Sequence, residues 1–318
     1  MAITLTEAAK LSQSYLQRGV IETFVQASPV LDRIPFMTIQ GNAYAYNEEA
    51  TLPGVAFRAV NAGYTESTGT VNQKSESLVI LGGDADVDRF IVQTRGDVND
   101  QRAVQTSLKV KAASYKFQDA FFNGDVAVDA NGFDGLKKRL TGGQVIAGGT
   151  NGIPIVGSAV SDIHAFFDKL DELVAAVPGL DGGNGALYAN AGVIGKIKSA
   201  ARHISADVFV EKDINGKRQV VWNGIPILDA GSTAAGASVL PQTETQGTSS
   251  IASSIYAVKF GQDEGDQAVT GLTNGGVQVY DLGELETKPA YRTRIEFYTG
   301  VAVFGGKAAA RLTGVLNG

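Results

Sequence analysis

Near the end of the chain, apolar and polar positions alternate most clearly. Tyr291, Thr293, Ile295 and Phe297 fall on one side of an extended segment, and Arg292, Arg294 and Glu296 fall on the other. A period of two with one charged face predicts a half-buried strand. Val301–Phe304 is continuously apolar and predicts a second strand, which Gly305-Gly306 breaks. Ala308–Val315 returns as a last segment, with Arg311 among small apolar residues. At the other end, residues 4–26 carry Ala8, Leu11, Tyr15, Val20, Phe24 and Val25 at roughly helical spacing, with Thr4 or Thr6 as the cap. Pro29 and Pro35 bracket the short apolar turn Val30–Ile34, and the whole stretch has the character of an arm.

Asn42–Asn47 alternates with Tyr44 and Tyr46 on one face, and Ser75–Val92 alternates for part of its length. Between them Glu49–Lys74 is polar and rich in Gly, Thr, Ser and Asn, which predicts a long hairpin with a broad tip. An isolated two-stranded hairpin is marginal in water, so such an arm is expected to lie on a neighbouring subunit.

Residues 97–123 form the longest helix candidate. Val104, Leu108, Ala112 and Tyr115 make one stripe, and Val110, Ala113, Phe117, Ala120 and Phe121 another. An apolar arc this wide is expected to be covered on more than one side. Asn123-Gly124-Asp125 stops it. A helix is expected over 161–177, capped by Ser161, and another over Asn190–His203. Strands are expected at Asp207–Val210, Gln219–Trp222, Ile225–Leu228 and Ile255–Phe260, with a surface loop over Gly231–Ser250. The class is α+β, with a middle region inserted between the long helix and the closing strands.

Composition narrows what this architecture does. Hydrophobic residues at 44% and charged residues at 19% mark a globular chain, and 39 glycines against 8 prolines fit many turns and loops. With no cysteine, disulfides, thiolate metal sites and thiol catalysis are excluded. A net charge of −6, with no Lys/Arg run, argues against a dedicated nucleic-acid grip. The N-terminal residues lack the basic and apolar regions of a signal peptide, and no apolar run is long enough to span a bilayer, which points to a cytoplasmic product.

Candidate chemistry is sparse. His164 lies near Asp162 and Asp168, but His203 is the only other histidine and no His-x-x-x-His pair forms, so a partly exposed helix residue is the simpler reading. Asp84, Asp86 and Asp88 resemble the start of a calcium loop without its glycine and distal glutamate; the polar face of a strand accounts for them. Gly148–Gly152 and Gly300–Lys307 lack the Gly-Lys-Ser/Thr ending of a phosphate loop. No Gly-x-Ser-x-Gly elbow accompanies a triad. No enzymatic activity, cofactor or metal is expected.

Three local pieces carry a resemblance: Gly132-Phe133-Asp134-Gly135-Leu136 after the long helix, Trp222-Asn223-Gly224-Ile225-Pro226-Ile227, and the Tyr291–Phe304 tail. In this order the chain resembles the major capsid protein of tailed phages, with the Hong Kong 97-type fold. The resemblance implies an N-terminal arm (1–41), an extended hairpin loop with adjoining strands (42–95), a peripheral domain with a spine helix (96–136), an axial domain (137–280) and closing peripheral strands (281–318). It implies self-assembly into pentamers and hexamers of an icosahedral head that encloses double-stranded DNA without sequence-specific binding. Such a head is built in the host bacterial cytoplasm, with portal and decoration proteins and a separate scaffolding protein as further partners. No membrane is involved. Many relatives begin with a scaffolding segment that is removed, whereas this sequence opens almost directly on the arm, so either a separate scaffolding protein exists or none is needed. Tyr44, Tyr46, Val55, Phe57, Lys74, Arg292, Arg294 and Glu296 are the expected intersubunit contacts. The two tyrosines, Val55 and Phe57 would be buried only on assembly. Lys74 is the only lysine of the extended hairpin, a loop from which some relatives form a lysine–asparagine cross-link; a solvated loop lysine is the plainer reading. Two other readings stand beside this one: an encapsulin shell, which shares the fold and carries an enzyme cargo, and a soluble α+β enzyme. The long polar hairpin and the arm favour the phage head.

Overall fold

The computed structural model describes residues 28–95, 101–204, 210–212 and 218–317. The helix expected over 4–26 lies outside them, as do the first residues of the strand expected at Asp207–Val210. The first described segment is a tight turn in which Ile34 N–H donates to the Val30 carbonyl at 2.9 Å. Val30, Leu31 and Ile34 are buried in the main core. Strand β1 (Phe36–Thr38) follows. This part of the expected arm is therefore built into the subunit itself, because its apolar residues are dense enough to be claimed by the core.

A hairpin of β2 (Ala43–Thr51) and β3 (Thr70–Ser77) comes next, then β4 (Val79–Asp88) and the short helix α1 (Arg89–Arg95). The long helix α2 (Gln101–Asn123) leads through a turn to α3 (Leu136–Arg139) and the short strands β5 (Val145–Ala147) and β6 (Ile153–Pro154). Helix α4 (Val160–Ala175), β7 (Gly185–Ala189), α5 (Ala191–His203), β8 (Val210–Lys212), β9 (Arg218–Trp222) and β10 (Ile225–Asp229) form the middle region. The chain closes with β11 (Glu244–Gln246), β12 (Ser249–Lys259), β13 (Val269–Glu284), β14 (Ala290–Val303) and β15 (Ala309–Leu316).

These strands form two main sheets and the separate β2–β3 hairpin. One sheet has the order β1-β13-β14-β4; the other runs β5-β15-β12-β7-β10-β9-β8, with β11 on β12 and β6 on β15. The expected 280/281 boundary falls inside β13, whose register with β14 continues from Val269↔Val303 to Glu284↔Tyr291. The tail is shared between the sheets, with β14 in the first and β15 paired to β12 in the second.

The tail contains one long strand where two were expected. Thr293, Ile295 and Phe297 are buried, as the alternation requires. Beyond Thr299 both faces are covered, so Val301 and Ala302 are also buried and the pattern becomes continuous without a turn of the chain. Gly305 and Gly306, both at positive φ, then reverse it.

Helix α2 lays Val110, Phe117 and Phe121 into the core. Phe117 meets Phe36, Phe133 and Phe297 with ring centroids 5.9–6.2 Å apart. Its other stripe is not covered as the wide apolar arc suggested: Val104, Leu108 and Ala112 are exposed in the subunit. The helix stops where Gly124 crosses the following turn; an added Cβ there would stand 2.3 Å from the Phe133 carbonyl oxygen. Gly135 N–H donates to Gly124 O at 2.9 Å, which seats α3 against the end of α2.

The second core lies between the larger sheet and helices α4 and α5. Ile163, Phe166, Phe167, Leu170 and Leu173 face it from α4, as the spacing required. The cap differs from expectation. Helix α4 begins one residue earlier, with Ala159 at the cap position, and Asp162 accepts the Ala159 N–H at 3.1 Å. Asn190 caps α5 by accepting from Val193 N–H at 2.8 Å. Its amide also donates to Leu240 O and Ser253 Oγ, tying down part of the loop expected to be wholly superficial. In that loop Val239 and Leu240 are buried and β11 adds a strand. Among the described residues no helix is long and apolar enough to cross a membrane.

Candidate assembly surfaces

The β2–β3 hairpin leaves the body as a two-stranded arm. Every residue from Glu49 to Ser75 is exposed. Val55 and Phe57 are as exposed as in an extended chain, at 95% and 109%, and Leu52, Val60 and Tyr64 join them. The tip holds its shape by local bonds: Ser67 Oγ donates to Gly54 O at 2.9 Å, and the Arg58 guanidinium sits 5.3 Å from the Tyr64 ring centre. Polar bonds order the tip while its apolar side chains stay in water. Exposed apolar surface of this kind marks an interaction site.

Among the described residues the hairpin meets the body at its base. Tyr46 is 4% exposed, so its ring is buried before any assembly, contrary to the sequence expectation. It packs edge-on against Phe304 at 4.9 Å, and its hydroxyl donates to Val303 O at 3.2 Å. Burial, reinforced by the nearby Glu76 carboxylate and partly offset by Arg139, pushes its hydroxyl up to about 12. Tyr44 is half-buried and donates to Glu264 Oε2 at 3.1 Å. Burial and that carboxylate raise its pKa too. Lys74 pairs with Glu48 on the facing strand, its side chain still half exposed. On β3, Glu76 receives a two-pronged bond from Arg139 of α3.

The charged face of β14 was expected to offer pairs to a neighbour. It is used within the subunit. Because β14 and β4 run antiparallel in the register Arg292↔Asp86 and Arg294↔Asp84, each guanidinium faces a carboxylate. Arg292 donates to Asp86 through two nitrogens at 2.7 and 2.8 Å, and Arg294 to Asp84 at 2.8 and 2.9 Å. Lys288 adds a contact to Asp86 at 2.5 Å, and Arg292 bridges to Asp84 at 3.2 Å. Glu296 accepts the Tyr298 hydroxyl at 2.8 Å. Asp88 accepts the Phe90 N–H at 2.7 Å. The aspartates that resembled a calcium loop are thus a strand face committed to arginines and a helix start.

This ladder has an acid signature. Hydrogen bonds from Arg292 and Lys288 hold the Asp86 carboxyl far below the usual carboxylate range, and Arg294 lowers Asp84 in the same direction. A depressed folded-state pKa contributes stability above the unfolded value, about 3.9, and loses it as the pH falls toward the folded value. Asp86→Asn is therefore expected to lower the thermal midpoint at pH 7. The gap from the parent protein should close progressively below about pH 4. Thermal melts of both proteins from pH 7 to pH 2.5 check this; a constant gap would deny the ladder its role.

The remaining candidates fall to structural roles. His164 is exposed on α4, and His203 is exposed in the last turn of α5. Gly148–Gly152 packs directly on β15, with Gly148 N–H donating to Thr313 O at 2.9 Å. Among the described residues no group of three or more His, Asp or Glu side chains could hold a metal ion.

Comparison with known proteins fits this geometry. A family model described as major capsid protein GP7 matches residues 13–160. No curated protein matches the sequence. Among solved structures, the encapsulin of the holo-SrpI complex from Synechococcus elongatus PCC 7942 superposes with a TM-score of 0.67 at 16% identity, covering 92% of this chain and 89% of its own. The capsid of a native GTA particle gives 0.61 at 15%, covering 91% and 90%. A Mycobacterium phage Bobi structure gives 0.53 at 14%, covering 91% and 89%. The chain has the Hong Kong 97-type capsid fold, the architecture of proteins that tile closed shells. The resemblance to tailed-phage major capsid proteins read from the sequence is borne out by the capsid-protein model that matches residues 13–160 and by the cyanophage P-SCSP1u capsid among the structural neighbours.

Proposed function

We propose that this chain is the major capsid protein of a tailed double-stranded DNA phage. Copies of it would form pentamers and hexamers that close an icosahedral head around the genome. The observation that carries the reading is the hairpin: an ordered arm whose apolar tip, Val55 and Phe57 above all, has no cover among the described residues of its own subunit. Hydrophobic burial is worth about 25 cal/mol per Å², so a second subunit is the natural place for such surface. In this reading the four-stranded sheet with α2 is the peripheral domain, and the nine-stranded sheet with α4 and α5 is the axial domain. Lys74 stays with the hairpin as a point of contact. Portal, decoration and scaffolding proteins are the partners this role brings. The chain acts as a wall and not as an enzyme, assembled in the bacterial cytoplasm.

The net charge of −6 suits containment of DNA better than adhesion to it. Tight, salt-sensitive DNA binding by the isolated subunit would contradict that part. The encapsulin reading is favoured by one observation, the TM-score of 0.67 to the Synechococcus shell protein. The two readings differ in contents and not in fold.

Negative-stain microscopy of the protein expressed alone, paired with light scattering, tests the assembly. Closed shells or rings of five and six are the expected result. A persistent monomer at all salt concentrations, unchanged by co-expression of a scaffolding protein, would overturn it. Shells that retain a co-expressed enzyme and never nucleic acid would shift the reading to the encapsulin.

A further inference from the structure

We propose that Arg139 is a positioning residue that sets the angle at which the hairpin leaves the body. The inference rests on the shell reading only for its consequence; the positioning itself is a property of one subunit. From Glu49 to Ser75 every residue of the hairpin is exposed, and among the described residues its bonds to the body lie at the base, where its direction is decided. Two sets of contacts hold that base from different elements. On β2, Tyr44 and Tyr46 rest on Phe304, just after the end of β14, with Tyr46 bonded to Val303 O. On β3, Glu76, directly opposite Tyr44 in the register, is gripped by Arg139.

The tyrosine contacts are one apolar seat with single hydrogen bonds, which tolerate rocking. The Arg139 grip is directional. Its planar fork meets both carboxylate oxygens, Nη2 to Oε2 at 2.8 Å, and both side chains are largely buried, at 16% and 17% exposed. The guanidinium is itself oriented, since Nε donates to Asp134 O at 2.5 Å. Behind it, Leu136 is fully buried and Gly135 is bonded to Gly124. The hairpin is thus referenced to the end of α2 through a rigid chain of contacts. The arm is long relative to its base. Nine residues of β2 at about 3.4 Å each reach roughly 30 Å, so a tilt of about 10° at the base moves the end of the strand by about 5 Å.

The absence of cysteine makes the test clean. Ala59→Cys at the tip and Ala165→Cys on α4 take nitroxide labels, and pulsed electron paramagnetic resonance measures the distance between them. Dilution with unlabelled chain keeps the measured pairs within one subunit. A single narrow distribution is expected for the parent. Arg139→Met and Glu76→Gln are each expected to displace and broaden it. The exchanged pair Glu76→Arg with Arg139→Glu should restore it, which a merely stabilising role would not require. Arg294→Met, which breaks the ladder without touching the hairpin, should leave the distribution as it was. If Arg139→Met and Glu76→Gln both keep the parent distribution, the proposal is wrong. If Arg139→Met fails to fold, Glu76→Gln decides by the same criterion. Microscopy of the same samples separates the two ideas: a distribution that responds in a protein that never assembles keeps the positioning role and removes the shell.

Discussion

Val55→Asp combined with Phe57→Asp is expected to give a folded subunit that forms no shells. Both side chains lie outside every core formed by the described residues, at 95% and 109% exposed, so their replacement removes none of that packing. Far-UV circular dichroism and the thermal midpoint should therefore match the parent protein. Assembly should not survive. Burying a Val or Phe side chain is worth about 1.5–3 kcal/mol, and burying an unpaired carboxylate in its place adds a penalty of several kcal/mol. The loss recurs at every copy of the contact, so a closed particle multiplies it. Light scattering at concentrations where the parent forms particles checks the result. Particles of normal size from the double variant would mean that the tip stays in water in the shell and that other surfaces carry the contact.

Phe117→Ala is expected to be the most damaging single truncation inside the subunit, at a cost of about 3–5 kcal/mol. Phe117 is fully buried and sits where three parts of the chain meet: Phe36 of β1, Phe133 of the turn after α2, and Phe297 of β14. Those three come from different elements, so the hole cannot be closed by shifting one side chain. The surrounding rings would have to move strands and helix together, and dense packing resists that. Equilibrium denaturation in urea measures the loss. A change below about 1 kcal/mol would show that the helix–sheet contact is looser than the ring distances indicate.

The two variants probe surfaces of different legibility. Phe117 was readable as core from its place in the helical stripe, and Ile295 and Phe297 from strict alternation in the tail. The hairpin was readable too, since Tyr44 and Tyr46 alternate before a long polar tip. What Tyr46 rests on was not readable. Phe304 lies far along the chain, and nothing in either local pattern says that one ring covers the other. The same limit applied to the charges. Asp84 and Asp86 read as a polar strand face, and so did Arg292 and Arg294. That the two faces are one ladder depends on β4 and β14 being neighbours in the register Asp84↔Arg294, across 210 positions. Taken strand by strand, the arginine face is that of a neighbour contact and the aspartate face that of a metal loop.

By itself the sequence determined α2, α4, α5, the β2–β3 hairpin and the strands β9, β10 and part of β12, but not β7 or β13; it also determined the absence of thiol chemistry, one apolar face each of α2 and α4, and the order of pieces that resembles a capsid protein. These are local properties, set by side-chain period, caps and breakers within a few residues of one another. Tertiary structure alone decided that the turn at Val30–Ile34 is core, that β14 is one strand spanning a change of environment, that β15 belongs to the second sheet, and that Arg139 holds the hairpin through Glu76. Each of these depends on which distant surface a face meets. A period of two or of 3.6 says that a face is buried, but only the packed chain supplies its partner.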